Sequence, residues 1–279
     1  MSSHVPELPE TETIARDLDR ELRGRTINRV VVRQADVLRE VSAAELSARL
    51  AGVSILGAWR RAKLVVIDLS SEDRIVVQPR FTGALLLSAG PLPEREARYS
   101  TLHAALDDGR DLHYRDIRRL GTVALMSPSR FVEYIDDLGI EPLDPEFTVA
   151  HLSVLLRGSK QAVKKLLMDQ RMVVGIGNIY ANEACWRAGI DPSRRAAEVD
   201  EADVGLLHAG IVSVLTESIA ARGTSFRDYR DASGGRGDFQ RSLAVYGRGG
   251  EPCLRCGARL VETHAIDGRT TVLCAQCQR

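Results

Sequence analysis

The chain has 279 residues, 44% hydrophobic and 27% charged, with 38 basic and 38 acidic side chains and a formal net charge of zero. That size admits one large domain or two modest ones beside a small module. No uninterrupted apolar run approaches a membrane span, and a neutral total argues mildly against a wholly basic nucleic-acid binder, so any polyanion would have to be held by local charge.

Residues 7–23 predict a helix, because Ile14, Leu18 and Leu22 recur every four residues and Gly24 follows as a stop. Short runs rich in Val, Ile and Leu then predict strands at 26–33, 53–59, 63–69, 74–78 and 84–88. Segments 102–106 and 111–115 flank Asp108-Gly109 as a hairpin, and 123–126 closes the series. About eight short strands after one helix predict an antiparallel β-sandwich or barrel. Segment 133–150 is acidic, carries Pro142 and Pro145, and reads as a linker. Helical periodicity follows at 151–157, 160–170, 178–188 and 201–222. Cys185, within the third of these, reads as a small buried side chain. His113 and His208 fall in strand and helix patterns and read as packing or solvent-facing residues rather than ligands.

Between the second and third helices lies Val173-Val174-Gly175-Ile176-Gly177-Asn178. Tyr180 stands where a dinucleotide fingerprint would need a third glycine. Two readings stay open here. The turn is a phosphate seat, with Asn178 as cap and extra donor, or it is a glycine C-cap followed by an asparagine N-cap. Charge is unevenly placed. Residues 222–248 hold six Arg against three Asp, and Arg60, Arg61 and Lys63 form a second basic cluster. The glycine-rich stretch 223–245 reads as a flexible basic loop, either a lid over a binding surface or a solvated connector.

The last residues carry the most specific signal. Cys253-x2-Cys256, seventeen residues, then Cys274-x2-Cys277 is the spacing of a four-cysteine zinc ribbon. Asp267-Gly268 predicts a two-residue hairpin turn midway through the spacer. Arg269, just past it, is placed to meet a phosphate or a base edge. Two disulfides are the weaker alternative, since nothing resembles a secretory signal.

Several motifs occur in order: Pro6-Glu7-Leu8-Pro9-Glu10-Thr11-Glu12-Thr13, Arg61-Ala62-Lys63, Asp116-Ile117-Arg118-Arg119, Leu167-Met168-Asp169-Gln170, Gly175-Ile176-Gly177-Asn178-Ile179-Tyr180 and Val245-Tyr246-Gly247-Arg248. Together they resemble the formamidopyrimidine-DNA glycosylase and endonuclease VIII family, nearer its formamidopyrimidine branch, over nearly the whole chain. The resemblance implies an α+β multidomain fold. Its parts are an N-terminal β-sandwich with a leading helix at 1–132, a linker at 133–150, a helix–two-turn–helix domain at 151–222, the basic loop at 223–245 and a zinc ribbon at 246–279. It implies one structural zinc ion, and a bacterial, cytoplasmic, nucleoid-associated monomer acting on damaged double-stranded DNA held across a cleft between two halves. The damaged nucleotide would be flipped from the stack. Glu7 would be the acid/base carboxylate, and Glu10 would support the polar network around it. Asn178, Arg269 and Lys63 would hold phosphates, with Lys164 also among the DNA-contacting residues. Arg118 would enter the duplex to face the orphaned base. The nucleophile would be the secondary amine of an N-terminal proline, here Pro6, making the activity glycosylase plus abasic-site lyase.

The sequence departs from the family in two places. Met1-Ser2-Ser3-His4-Val5 precedes Pro6, whose nitrogen is then a tertiary amide without nucleophilic character. Either translation starts at Val5 and the working protein begins at Pro6, or the protein binds damaged DNA without cutting it. The wedge residues differ too. Phe81 replaces a Met, Leu120 replaces a Phe, and Gln78 replaces a His, changes that bear on lesion preference more than on DNA binding.

Overall fold

The computed structural model describes residues 5–90, 92–225, 232 and 234–279. The chain divides into two compact units, one comprising residues up to 136 together with 221–240, the other 137–220 with 241–279.

The first unit opens with α1 (Leu8–Leu22), whose Ile14, Leu18 and Leu22 are fully buried, as their spacing predicts. Then come β1 (Thr26–Val32), the short β2 (Leu38–Arg39) and α2 (Ala43–Leu50). Neither β2 nor α2 is among the elements that the sequence predicts. The latter is an eight-residue helix capped by the Ser42 hydroxyl, which accepts from the Glu45 N–H, and only Leu46 and Leu50 of it are buried. Next are β3 (Val53–Arg61), β4 (Leu64–Leu69), β5 (Arg74–Gln78), β6 (Gly83–Ser88), α3 (Glu94–Ala97), β7 (Ser100–Leu106), β8 (Asp111–Asp116), β9 (Thr122–Met126) and α4 (Pro128–Ile135).

The strands form one sheet in the order β2-β9-β5-β4-β3-β1-β7-β8-β6. Neighbours are antiparallel except for β2 against β9, which is parallel and therefore departs from the all-antiparallel expectation. The β1–β3 pairing is short, holding only Thr26 to Ser54 and Ile27 to Val53. Around that seam the two wings enclose a single core. Ile55, Ile67, Val77 and Val123 come from one wing, and Val30, Leu85, Leu112 and Tyr114 from the other. α1 and α2 add Ile14, Leu18, Leu46 and Leu50 to the same cluster. This is the expected sandwich, made from one folded-over sheet. β4 is buried on both faces. Its other face, with Leu64 and Val66, packs on Phe131 of α4 and on Trp59.

The second unit contains α5 (Val149–Arg157), α6 (Val163–Met168), α7 (Asn178–Ala188) and α8 (Glu201–Ala220), then the hairpin β10 (Val261–Thr263) and β11 (Thr271–Leu273). α7 and α8 approach closely because Gly210 has no side chain: a Cβ there would lie 2.9 Å from the Ala184 carbonyl oxygen. α8 is long and apolar enough to cross a membrane by length and composition. Here its Leu207, Ile211, Val214 and Leu215 are fully buried in the unit, which accounts for its apolarity.

Segment 133–150 is more structured than a linker. Residues 133–135 finish α4 and 149–150 open α5. Between them Gly139 and Ile140 donate to the Gln170 and Met172 carbonyls at 2.9 and 3.1 Å. A Cβ on Gly139 would meet the Met172 carbonyl oxygen at 2.3 Å, so that approach requires glycine. The expected flexible loop 223–245 falls partly outside the described residues. Its ends are ordered: Asp238 and Phe239 donate to the Ala221 and Gly223 carbonyls at 2.9 and 3.1 Å.

Candidate functional site

In the first unit, strand register gathers four segments at one end. Arg61 pairs with Leu64, so Ala62 and Lys63 form a two-residue turn, with Ala62 at φ +53. Val65 at the start of β4 pairs with Val77 near the end of β5, and Gln78 pairs with Thr122. Gly83 pairs with Asp116. The Lys63 turn, the 79–82 loop carrying Phe81 and the 117–121 loop carrying Arg118 therefore leave the sheet at the same end. The start of α1 joins them, because Arg60 Nε donates to Glu12 Oε2 at 2.8 Å and both side chains are largely buried. The Glu12 carboxyl, although burial raises it, is held below the usual range by Arg60 and Arg16.

Pro6 is buried just ahead of α1. Glu7 is 4% exposed and serves as the N-cap residue of a capping box. Glu10 has no exposed surface. Its Oε2 accepts from the Glu7 N–H at 2.9 Å and its Oε1 from the Thr224 N–H at 2.7 Å. Thr224 is brought that close by Gly223, at φ +82, where a Cβ would sit 3.0 Å from Glu10. Glu10 thus couples the start of the chain to the base of the 223–245 loop. No local signal in the sequence marks Thr224 as its partner.

In the second unit, the Gln170 amide shapes the glycine turn. It accepts from the Gly175 N–H and donates to the Ile176 carbonyl, both at 2.9 Å. Gly177 is the N-cap of α7 and Asn178 is its first residue, which corrects the expectation that Asn178 caps the helix. The Asn178 amide is turned to the ribbon instead, donating to the Thr270 carbonyl at 3.0 Å. Thr270 adjoins the exposed Arg269, so these two expected phosphate contacts lie side by side.

The ribbon tip is a seven-residue loop, 264–270, and not a two-residue turn, because strand pairing stops at Thr263 and Thr271. Gly268 at φ +75 donates to the His264 carbonyl at 3.0 Å across this loop. Lys164 lies beneath it with no exposed surface. Its ammonium donates to Thr271 Oγ1 at 2.7 Å and to the Thr270 carbonyl at 3.3 Å, and lies 3.5 Å from Asp267 Oδ1. Burial pulls Lys164 below the ordinary lysine value, with Asp267 opposing. An ammonium so enclosed supports the loop that carries Arg269.

Two consecutive residues of α7, neither given a role by any motif in the sequence, dock the ribbon. Asn182 Oδ1 accepts from the Val272 N–H at 2.8 Å. Glu183 accepts from the N–H groups of Ala244, Val245 and Tyr246 at 2.8–2.9 Å. Burial raises the Glu183 carboxyl and those donors oppose it. Two buried polar residues inside an apolar helix were the available signal.

The sulfurs of Cys253, Cys256, Cys274 and Cys277 all lie within 4.8 Å of one another. A tetrahedral zinc with about 2.3 Å bonds to sulfur needs sulfurs roughly 3.8 Å apart, so the set fits one structural zinc ion. Trp186 packs against the cluster containing Cys253, and among the described residues its buried indole N–H finds no oxygen or nitrogen acceptor. Burial raises the Cys253 thiol, but the indole and the backbone amides of Arg255 and Cys256 outweigh it and bring it down to about 6. Cys185 is fully buried and pushed up to about 12, as an inert thiol should be.

Residues 5–123 match the formamidopyrimidine-DNA glycosylase N-terminal domain, 138–230 its H2TH domain, and 250–279 the zinc finger found in FPG and IleRS. A formamidopyrimidine-DNA glycosylase of Carboxydothermus hydrogenoformans is 40% identical over 277 residues, covering 99% of this chain and 100% of that one. This chain belongs to the formamidopyrimidine-DNA glycosylase family. Another member, from Moorella thermoacetica, is 43% identical over 258 residues, covering 92% and 93%. Among solved structures, the Lactococcus lactis Fpg in complex with abasic-site DNA superposes with a TM-score of 0.89 at 31% identity, covering 98% and 99% of the two chains. The Fpg protein of Thermus thermophilus gives 0.85 at 34%, covering 98% of each. The family's zinc finger therefore corresponds to the four-cysteine cluster here.

Proposed function

We propose that this protein is a bifunctional DNA glycosylase and abasic-site lyase that removes oxidised purines, such as 8-oxoguanine and formamidopyrimidines, from double-stranded DNA. The supporting observation is that Pro6, Glu7, the Lys63 turn, Phe81 and Arg118 share one end of the first unit. In the second unit Asn178 and Arg269 present adjacent donors suited to phosphate. Zinc supplies stiffness to the ribbon carrying Arg269 and takes no part in the reaction.

In this reading the secondary amine of Pro6 attacks the sugar C1′. Glu7 protonates the ring oxygen as the ring opens, the damaged base departs, and an iminium ion remains. That electron sink permits β-elimination, breaking the bond to the 3′ oxygen, and then δ-elimination at the 5′ side. Lys63, Asn178 and Arg269 hold the flanking phosphates. The protein works as a monomer inside a bacterial cell, at the nucleoid.

The chemistry requires Pro6 as the first residue. While Val5 is attached, the nitrogen is an amide and the protein can hold damaged DNA without opening the sugar. Intact-mass analysis of natively produced protein, followed by borohydride reduction with 8-oxoguanine duplex, tests both readings. A mass starting at Pro6 with a trapped covalent adduct is expected. A native mass retaining residues 1–5, with no adduct, would leave only the binding reading.

A further inference from the structure

Two loops at the functional end of the first unit are joined by one buried carboxylate. Asp116 is 1% exposed. Its Oδ1 accepts from the Thr82 hydroxyl at 2.5 Å and the Arg118 N–H at 3.2 Å. Its Oδ2 accepts from the Gly121 N–H at 2.9 Å and the Tyr114 hydroxyl at 3.4 Å. The Arg118 N–H also donates to Thr82 Oγ1 at 2.9 Å. Burial drives the Tyr114 hydroxyl far above its usual value, so it stays a neutral donor. Gly121 has no alternative: a Cβ there would lie 1.8 Å from the Tyr114 oxygen.

The clamp holds strained backbone. Phe81 sits at φ +48 and Arg119 at φ +51, left-handed conformations that side chains other than glycine rarely adopt. Such strain persists only where surrounding structure over-determines it. The product is an ordered pair: the Arg118 guanidinium carbon lies 4.9 Å from the Phe81 ring centroid, within cation–π range. Arg118 itself is exposed, and Leu120, on the same loop, is 40% exposed.

We propose that Asp116 is the positioning residue that joins the 79–82 and 117–121 loops and so holds the Phe81 ring and the Arg118 guanidinium as one preassembled plug before they meet DNA. A flat ring fills the slot left by an extruded base, while the guanidinium offers donors to the orphaned base edge. The aromatic surface belongs to the 79–82 loop, and Leu120 gives only apolar contact. Asp116 does not reach the DNA; it acts through Thr82 and the backbone of Arg118 and Gly121. The inference rests on the excision reading above.

The test uses 2-aminopurine placed opposite an uncleavable abasic analogue, whose fluorescence rises when a wedge unstacks it. Single-turnover excision of 8-oxoguanine by the Pro6-starting protein is measured alongside. Asp116→Asn should cut both the fluorescence rise and the excision rate at least about tenfold, with affinity for undamaged duplex unchanged. Phe81→Ala in the Asp116→Asn background should add little, because the clamp and the ring act as one unit. Phe81→Ala should cost more fluorescence than Leu120→Ala. Should Asp116→Asn fail to fold, Thr82→Val removes the hydroxyl tether alone and should reproduce the loss. Unchanged fluorescence and excision in the folded clamp variant, independent multiplying effects of Phe81 and Asp116, or a larger loss from Leu120→Ala would each overturn the plug. A parent protein that neither excises nor brightens 2-aminopurine would overturn the excision reading itself.

Discussion

The Asn178 amide donates to the Thr270 carbonyl at 3.0 Å, so the start of α7 and the residue beside Arg269 are physically joined. Arg269→Ala should weaken binding to lesion DNA by about 1–3 kcal/mol, the range for a charge-assisted hydrogen bond. The salt dependence should fall by about one phosphate contact. Combined with Asn178→Ala, the loss should be smaller than the sum, since both act on one loop. Titrations at several salt concentrations measure all three; a strictly additive double variant would separate the two residues.

Glu7→Gln keeps the shape of the N-cap side chain but removes the proton that the proposed ring opening would draw on. Excision should drop by about 10²–10⁴-fold with lesion-DNA affinity held. Full turnover in single-turnover assays would take Glu7 out of the acid role.

Lys164→Met leaves Thr271, Thr270 and Asp267 without their shared donor. A destabilisation of about 1–3 kcal/mol is expected, with weaker lesion-DNA binding. The salt slope should be that of the parent, because the ammonium does not face solvent. A slope reduced by one contact would show Lys164 meeting a phosphate directly.

His103 and His113 lie side by side on β7 and β8, ring centroids 5.3 Å apart, with His113 Nδ1 3.0 Å from Ser100 Oγ. His103 Nδ1 and His113 Nε2 are buried without partners among the described residues. Burial lowers both from the ordinary 6.5. Arg33 adds to that effect on both, Arg29 on His103 and His103 on His113, and Asp111 opposes it. The unfolded chain therefore takes up protons first as pH falls, so this pair contributes stability that is present above 6.5 and lost below it. Melting temperature should decline from about pH 7 to 5, and the decline should flatten in His113→Asn. An unaltered acid slope in that variant would place the sensitivity elsewhere.

Removing zinc should release the ribbon, since the four cysteines would lose the ion that ties them together. Trp186 lies against Cys253, so chelation should change its fluorescence in step with loss of lesion-DNA binding. Restored zinc should reverse both. A ribbon that keeps its binding after complete chelation would show that the hairpin stands without metal.

Much of this was readable before any coordinates. Strand positions followed from short Val-, Ile- and Leu-rich runs between turn residues and helix positions from apolar spacing, and the cysteine spacing announced its cluster because metal geometry constrains so few residues. What escaped were interactions between distant segments. The loop over Lys164 was not legible, because local sequence does not reveal a segment about a hundred positions away folding onto a lysine. Asn178 looked like a cap because asparagine before a helix usually is one, yet Gly177 took that place and freed the amide. The short α2 and β2 carry too few apolar residues for periodicity to register.

The partner that completes the Glu10 carboxylate stands 214 positions further along the chain. At ribosomal rates of about 5–20 residues per second, that interval is roughly 10–40 seconds. During synthesis the α1 terminus must wait for Thr224 to emerge before its acidic side chain is fully satisfied. The end of the protein made first is thus among the last to be finished, and a nascent chain would carry an unassembled centre until most of the second unit had been translated.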